Sequence, residues 1–176
     1  MEITLRTLQA NDTEFLSTAM IELQQYLVPL DPERRLTCPA GYGDAYVKTL
    51  FDRISQGQGR ITIATCGEES VGMIAGIIRT PETQDALGST ITLDGEVIEL
   101  VVLEKYRNLQ IGRRLMQDME HYFAEAGCQT VSVQVFVPNS VARSFYNSLG
   151  YTDRMVCCVK PLPQPTTAPV SPLPPR

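Results

Sequence analysis

The segment from Glu96 to Gly127 constrains the fold of this chain more than any other. Val97, Ile98, Leu100, Val101, Val102 and Leu103 make an apolar run of strand length, and a polar turn from Glu104 to Gln110 separates it from a helical pattern. In that pattern Ile111, Leu115, Met119, Tyr122, Phe123 and Ala126 recur at about 3.6-residue spacing, and Gly127 stands where a C-terminal cap belongs. Thr130 to Val137 follows, with Val131, Val133, Val135 and Val137 on one face, the period of a strand. Strand, helix and strand in this order predict a right-handed parallel crossover within a sheet that helices cover.

The rest of the chain supplies neighbours for that unit. Thr4 to Leu8 alternates as a short first strand; Asn11 or Asp12 then offers a helix cap before Phe15, Ala19, Leu23 and Leu27, and Pro29 and Pro32 end that helix. Leu30 to Gly43 reads as irregular, and a second helix is expected around Asp44 to Ser55, marked by Val47, Leu50, Phe51 and Ile54. Arg60 to Cys66 and Val71 to Arg79 flank the polar run Gly67 to Ser70 and predict an antiparallel hairpin. The almost continuous apolar character of Val71 to Ile78 marks a central strand covered on both faces. Pro81 to Thr90 reads as a mobile loop, Glu96 to Leu103 as the fourth strand, Ser140 to Leu149 as a short helix and Tyr151 to Val159 as a last strand. The expected class is α/β, of the mixed α+β kind, in one domain over residues 1–160. A proline-rich tail, 161–176, has little to bury and is expected to be disordered or polyproline-like.

A chain of 176 residues that is 43% hydrophobic can bury one adequate core. Its net charge of -5 argues against a protein held on nucleic acid by phosphate contacts, and leans weakly toward a cationic partner. Five cysteines without a C-x-x-C pair, and one histidine, His121, predict no metal site. The odd cysteine count, with no basic segment leading into an apolar stretch at the start, reads as reduced thiols in a cytoplasm. No apolar run approaches the ~20 residues a membrane-spanning helix needs. His121 reads as a surface residue, and Cys128, Cys157 and Cys158, in or beside strands, read as small core residues rather than nucleophiles.

A strand that ends in a tight turn feeding a helix leaves the helix's first N–H groups unpaired, a ready site for an anion. Gly112 lets the backbone approach a phosphate, and Arg107, Arg113 and Arg114 supply cations nearby; a plain turn with solvated charge is the other reading of the same residues. The run Val101 to Leu115, with Arg107-Asn108-Leu109-Gln110-Ile111-Gly112 at its centre, resembles the acetyl-CoA motif Arg/Gln-x-x-Gly-x-Gly/Ala of the GNAT N-acetyltransferase superfamily. Gln110 takes the place where that motif usually has glycine. Downstream, Asn139 to Tyr151 resembles the family segment Asn-x-x-Ala-x-x-Phe-Tyr-x-x-x-Gly-Phe/Tyr.

The resemblance implies a mostly antiparallel sheet with the parallel crossover at a splayed centre, and acetyl-CoA as co-substrate with no metal. It assigns cofactor binding to Leu100, Val101, Val102, Arg107, Asn108, Leu109, Gln110, Ile111, Gly112, Arg113, Asn139, Ala142 and Tyr146. It also implies transfer to a primary amine by direct attack in a ternary complex, and a homodimer. An ammonium of pKa ~10.4 must first lose a proton, about 4.6 kcal/mol at pH 7. Glu99 is the expected base, alone or through a water chain, with Glu96 and Glu104 as weaker choices; an ordinary paired charge is the other reading of Glu99. Tyr146 falls on the tyrosine that protonates the leaving thiolate, or else packs its helix on the sheet. Asn139 holds the pantetheine arm or caps the helix. The carbonyl oxygen is expected at a backbone N–H near Val102. Asp31, Glu33, Arg34, Arg35 and Tyr42 are choices for lining the acceptor site, a charged surface loop being the alternative. A silent acyl-CoA-binding or interaction module, or transfer of a longer acyl group, stays open.

Overall fold

The computed structural model describes residues 2–79, 88 and 90–162. The elements are β1 (Ile3–Thr7), α1 (Thr13–Leu27), α2 (Tyr42–Gln56), β2 (Arg60–Cys66), β3 (Glu69–Arg79), β4 (Asp94–Val102), α3 (Ile111–Glu125), β5 (Thr130–Val133) and α4 (Ser140–Ser148). The strands form one sheet in the order β1-β2-β3-β4-β5. All neighbours pair antiparallel except β4 and β5, which are parallel and joined through α3. The mixed α/β class and the central place of β3 agree with the sequence reading, and β4 runs from Asp94 to Val102 rather than from Glu96 to Leu103.

Two expected strands are corrected. The strand expected through Val137 stops at Val133, because its pairing with β4 ends at Val97↔Val133 and Val137 is 53% exposed. Tyr151 to Val159 forms no strand among the described residues: from Met155 onward its apolar side chains stand in solvent, Met155 being 88% exposed. Cys157 and Cys158 are correspondingly exposed thiols, not core residues. His121 lies on the surface, 3.2 Å from Glu125 one turn on. The loop expected at Pro81 to Thr90 lies almost wholly outside the described residues, as does the tail beyond Leu162.

Each face of the sheet carries its own core. On one face α3 buries Ile111, Leu115, Met116, Met119 and Phe123 against Val71, Ile74 and Val97; on the other α1 and α2 bury Leu16, Met20, Val47 and Leu50 against Ile63, Met73 and Val101. Each such side chain contributes about 1.5–3 kcal/mol on leaving water. β3 feeds both cores, which explains its continuous apolar run.

Phe123 sets the distance between α3 and the sheet. A Cβ at Gly95 would lie 2.5 Å from Cδ2 and Cγ of its ring, and one at Gly76 would lie 2.6 Å from its Cζ. The ring thus fills space that side chains on two adjacent strands would take. Gly95→Ala is expected to destabilise the fold by about 1–3 kcal/mol through overpacking; a denaturation midpoint equal to wild type contradicts this packing.

Candidate active site

The site is built where β4 changes face. Ala75 pairs with Glu99 and Gly76 with Val97, so Ile98 is an extra residue, a β-bulge. Strict alternation would put Glu99 on the same face as Val97, against α3. Val97 does pack in the α3-side core, whereas Ile98 and Val101 pack with α1 and α2, and Glu99 opens toward α2. The bulge therefore swings one carboxylate from the α3 side of the sheet to the other.

Just beyond the bulge the sheet comes apart. β4 continues to Val102 while its pairing with β5 ends at Val97, leaving one side of Ile98 to Val102 without a strand partner. Leu103 N–H donates to Val71 O of β3 at 3.0 Å, so alternation turns the polar groups of Val102, and of Leu100 before it, toward the gap. Val102 O accordingly accepts from Arg107 Nε at 3.1 Å. Val101 points its side chain into the core instead.

The turn after β4 is fastened at several points. Glu69 accepts from Lys105 Nζ and from the Tyr106 hydroxyl, both at 2.6 Å, and Glu22 of α1 accepts from Glu104 N–H at 3.1 Å and Arg107 Nη2 at 3.0 Å. Asn108 and Gln110 adopt left-handed backbone, φ 64° and 61°, on either side of the half-exposed Leu109. The first bond of α3 runs from Arg114 N–H to Gln110 O, 3.1 Å, so the amides of Gln110, Ile111, Gly112 and Arg113 precede the helical ladder. The Gln110 side chain is exposed and makes no cap bond, so the mouth of the helix is not closed by it.

The left-handed Gln110 accounts for the glycine expected there: only the backbone conformation is required, and a side chain is carried at a cost of about 1–2 kcal/mol. Gln110→Gly is expected to raise stability by about 1 kcal/mol; a lowered melting temperature contradicts the assignment. Gly112 has a packing reason of its own, since a Cβ there would lie 3.3 Å from Phe145 Cζ of α4.

The sequence-named arginines are less free than expected. Arg107 is held by Glu22 and Val102 O and sits 5.8 Å from the Tyr26 ring, and Arg113 reaches the Ser148 hydroxyl at 3.1 Å; Arg114 is exposed. Asn139 caps α4, its Oδ1 accepting from Ala142 N–H and from the Tyr26 hydroxyl, each at 3.1 Å. Ala142 packs beside the α3-side core.

Tyr146 is buried in that same core, edge-on to Phe145 at 5.2 Å and to Tyr151 at 5.8 Å. Burial, and next the Glu99 carboxylate, push its phenol up to about 12. Glu99 faces the other side of the gap, accepting from the Tyr46 hydroxyl. Burial raises its carboxyl above the ordinary range, and the Tyr46 bond and then Arg53 pull part of the way back. Glu96 is engaged instead, 3.6 Å from Arg79 and 4.0 Å from Arg53, and Glu104 is an exposed turn residue.

A cavity of ≈ 400 Å³ adjoins Glu99. Met20, Leu23, Leu27, Leu36 and Phe136 form its apolar wall. Gln24, Tyr42, Tyr46 and Glu99 supply its polar atoms. Of the residues expected to line an acceptor site only Tyr42 does so: Asp31 is turned inward to accept N–H groups of Glu33, Arg35 and Leu36, and Glu33 pairs with Arg35 at 3.2 Å. Gln24 and Tyr46 escaped the sequence reading, though Gln24 left a trace as a polar residue one turn after Met20 on the buried stripe of α1.

Among the described residues no cluster of acids, cysteines and histidines could hold a metal, and no helix is long and apolar enough to cross a membrane. The expected acetyl-CoA fits what is present: an open gap with outward peptide groups for an extended arm, followed by unpaired amides for a diphosphate.

Residues 27–151 match the model of the Acetyltransferase (GNAT) family. An uncharacterized N-acetyltransferase of Methanocaldococcus jannaschii is 41% identical over 69 residues, which span 39% of this chain and 44% of that relative, less than half its length. An acetyl transferase from Pyrococcus furiosus shares the fold at a TM-score of 0.71 and 20% identity, covering 92% of this chain and 100% of that one. AAC(6')-Iy, solved with the bisubstrate analogue CoA-S-monomethyl-acetylneamine, gives a TM-score of 0.69 at 14% identity, with the same coverage of 92% and 100%. Fold, ordered motifs and a match over most of the chain converge, and the protein belongs to the GNAT acetyltransferase family.

Proposed function

We propose that the protein transfers the acetyl group of acetyl-CoA to a primary amine by direct attack in a ternary complex. What supports this reading is the open gap where β4 leaves β5, with Glu99 on the α2 side of the sheet and Tyr146 in the core on the α3 side. Acetyl-CoA, when bound, supplies an acyl thioester whose thiolate can leave.

Glu99 takes the proton of the incoming ammonium, directly or through water. Its raised pKa brings it closer to the amine's and so eases that transfer. The N–H groups of Leu100 and Val102 orient the arm, and the one near Val102 meets the carbonyl oxygen as charge builds there. The amides from Gln110 to Arg113 hold the diphosphate, with Arg113 and Arg114 close by. Asn139 and Ala142, at the start of α4, border the arm on the far side of the gap.

Tyr146 stays protonated at neutral pH and donates a hydrogen bond to the departing sulfur. Full release of its proton to a thiolate of conjugate-acid pKa ~8.5 is uphill, since burial, the largest cause of the raised phenol pKa, persists whatever the charge on Glu99. Once Glu99 has been protonated, one cause of the raised phenol pKa is gone. The two groups act in order, base first and acid second, because the ammonium must lose a proton before it can attack and the sulfur leaves only afterwards. The same reading takes the protein as a cytoplasmic homodimer, and light scattering is expected to give twice the mass of one chain.

Thiol release with acetyl-CoA and a panel of primary amines tests the reading. Thiol formed in proportion to acetylated amine is the expected result. CoA binding with no thiol release for any amine would make the protein a silent binding module.

A further inference from the structure

Resting on the acetyltransferase reading, the geometry points to an acceptor class: a primary amine that carries a single cation on an apolar, alkyl or arylalkyl body.

The wall around Glu99 is made of Met20, Leu23, Leu27, Leu36 and Phe136, and its stacked tyrosines, Tyr42 and Tyr46, have ring centroids 5.4 Å apart. Among the described residues Glu99 is the one carboxylate in this lining. Outside the lining, Glu22 is paired with Arg107 and Asp31 is occupied by loop N–H groups. A polyamine or aminoglycoside would bring further cations into the cavity with no acid to meet them, and a buried unpaired charge is strongly disfavoured. Among the described residues the lining also lacks lysine and arginine, so the carboxylate of an amino acid would find no cation there. The volume of ≈ 400 Å³ suits a small molecule and not a folded protein surface.

The wall is built rather than incidental. Gln24 is buried, donates from Nε2 to Thr37 O at 2.8 Å and accepts from the Tyr42 hydroxyl at 3.0 Å. Asp31 accepts from Leu36 N–H at 3.0 Å. Together they hold the segment before α2, with Leu36, against the cavity.

In the reaction the ammonium gives one proton to Glu99 and the amine nitrogen forms a bond to the acetyl carbon. The carbon–sulfur bond breaks, and the second nitrogen proton is lost as the sulfur becomes a thiol through Tyr146. One proton is released to solvent for each amide made.

The test uses the full chain and compares kcat/KM for 2-phenylethylamine and hexylamine with that for spermidine, kanamycin and glycine, alongside calorimetry of the same amines. The two apolar monoamines are expected to lead by at least about tenfold. Leu27→Trp, which fills the cavity, should raise KM for 2-phenylethylamine at least about tenfold while KM for acetyl-CoA stays put. Spermidine, kanamycin or glycine turned over equally well or better would overturn the acceptor class and leave acetyl transfer standing. Binding of 2-phenylethylamine that Leu27→Trp abolishes, with no turnover of any amine, would support the apolar pocket and remove the transferase reading. Failure of both monoamines to bind or react would overturn the acceptor class outright.

Discussion

Glu99→Gln is expected to lower kcat/KM for the amine by about 10²–10³-fold at pH 7, the usual contribution of a positioned general base. The loss should shrink as pH rises toward the amine's own pKa, because the unprotonated fraction grows about tenfold per pH unit without help. In wild type, activity should fall on the acid side as Glu99 takes up its proton, at a pH above the ordinary carboxylate value. Stability should move the other way. A carboxyl whose folded pKa is raised stabilises the fold fully below its unfolded pKa of ~4.3, and that contribution is lost as pH rises through the folded value. At neutral pH the charged Glu99 is therefore a burden that the substitution removes, and the amide oxygen of the new side chain can still accept from the Tyr46 hydroxyl. An enzyme that loses turnover while holding or gaining melting temperature fits; equal pH profiles for variant and wild type put the base elsewhere.

Tyr146→Phe is expected to lower kcat by about 10²-fold with little change in KM for acetyl-CoA. The ring packs between Phe145 and Tyr151, and phenylalanine keeps that shape, so the fold should survive. On the proposed mechanism, removing the hydroxyl deletes the donor to the leaving sulfur and nothing else. An acyl donor with a better leaving thiol should recover part of the loss. Unchanged turnover leaves Tyr146 a packing residue, the role its burial alone would suggest.

The chain discloses its crossover because α3 and its flanking turn are local. The stripe Ile111, Leu115, Met119, Phe123 and the cap at Gly127, φ 87°, are fixed by residues a few positions apart. The site is less legible. Ile98 is as apolar as its neighbours, so nothing in the run of β4 betrays that it is an extra residue and that Glu99 changes face. The Arg107–Glu22 pair joins positions 85 residues apart, a contact no window of sequence contains. Tyr46 reaches Glu99 across 53 residues for the same reason. Tyr151 to Val159 misled in the opposite sense: strand-forming residues signal a strand only when a neighbouring strand accepts them, and here Met155 and Val156 stand in solvent. Gln110 takes the left-handed backbone that glycine favours, φ 61°, so the glycine preference of the motif shows here in φ and not in residue type.

Calorimetric titration of CoA and of pantetheine, which lacks the diphosphate and nucleotide, tests most directly whether the mouth of α3 is an anion cradle. The amides of Gln110 to Arg113 predict that CoA binds at least about tenfold tighter than pantetheine, with the difference shrinking as salt rises. Equal affinities for the two at low salt would contradict the account.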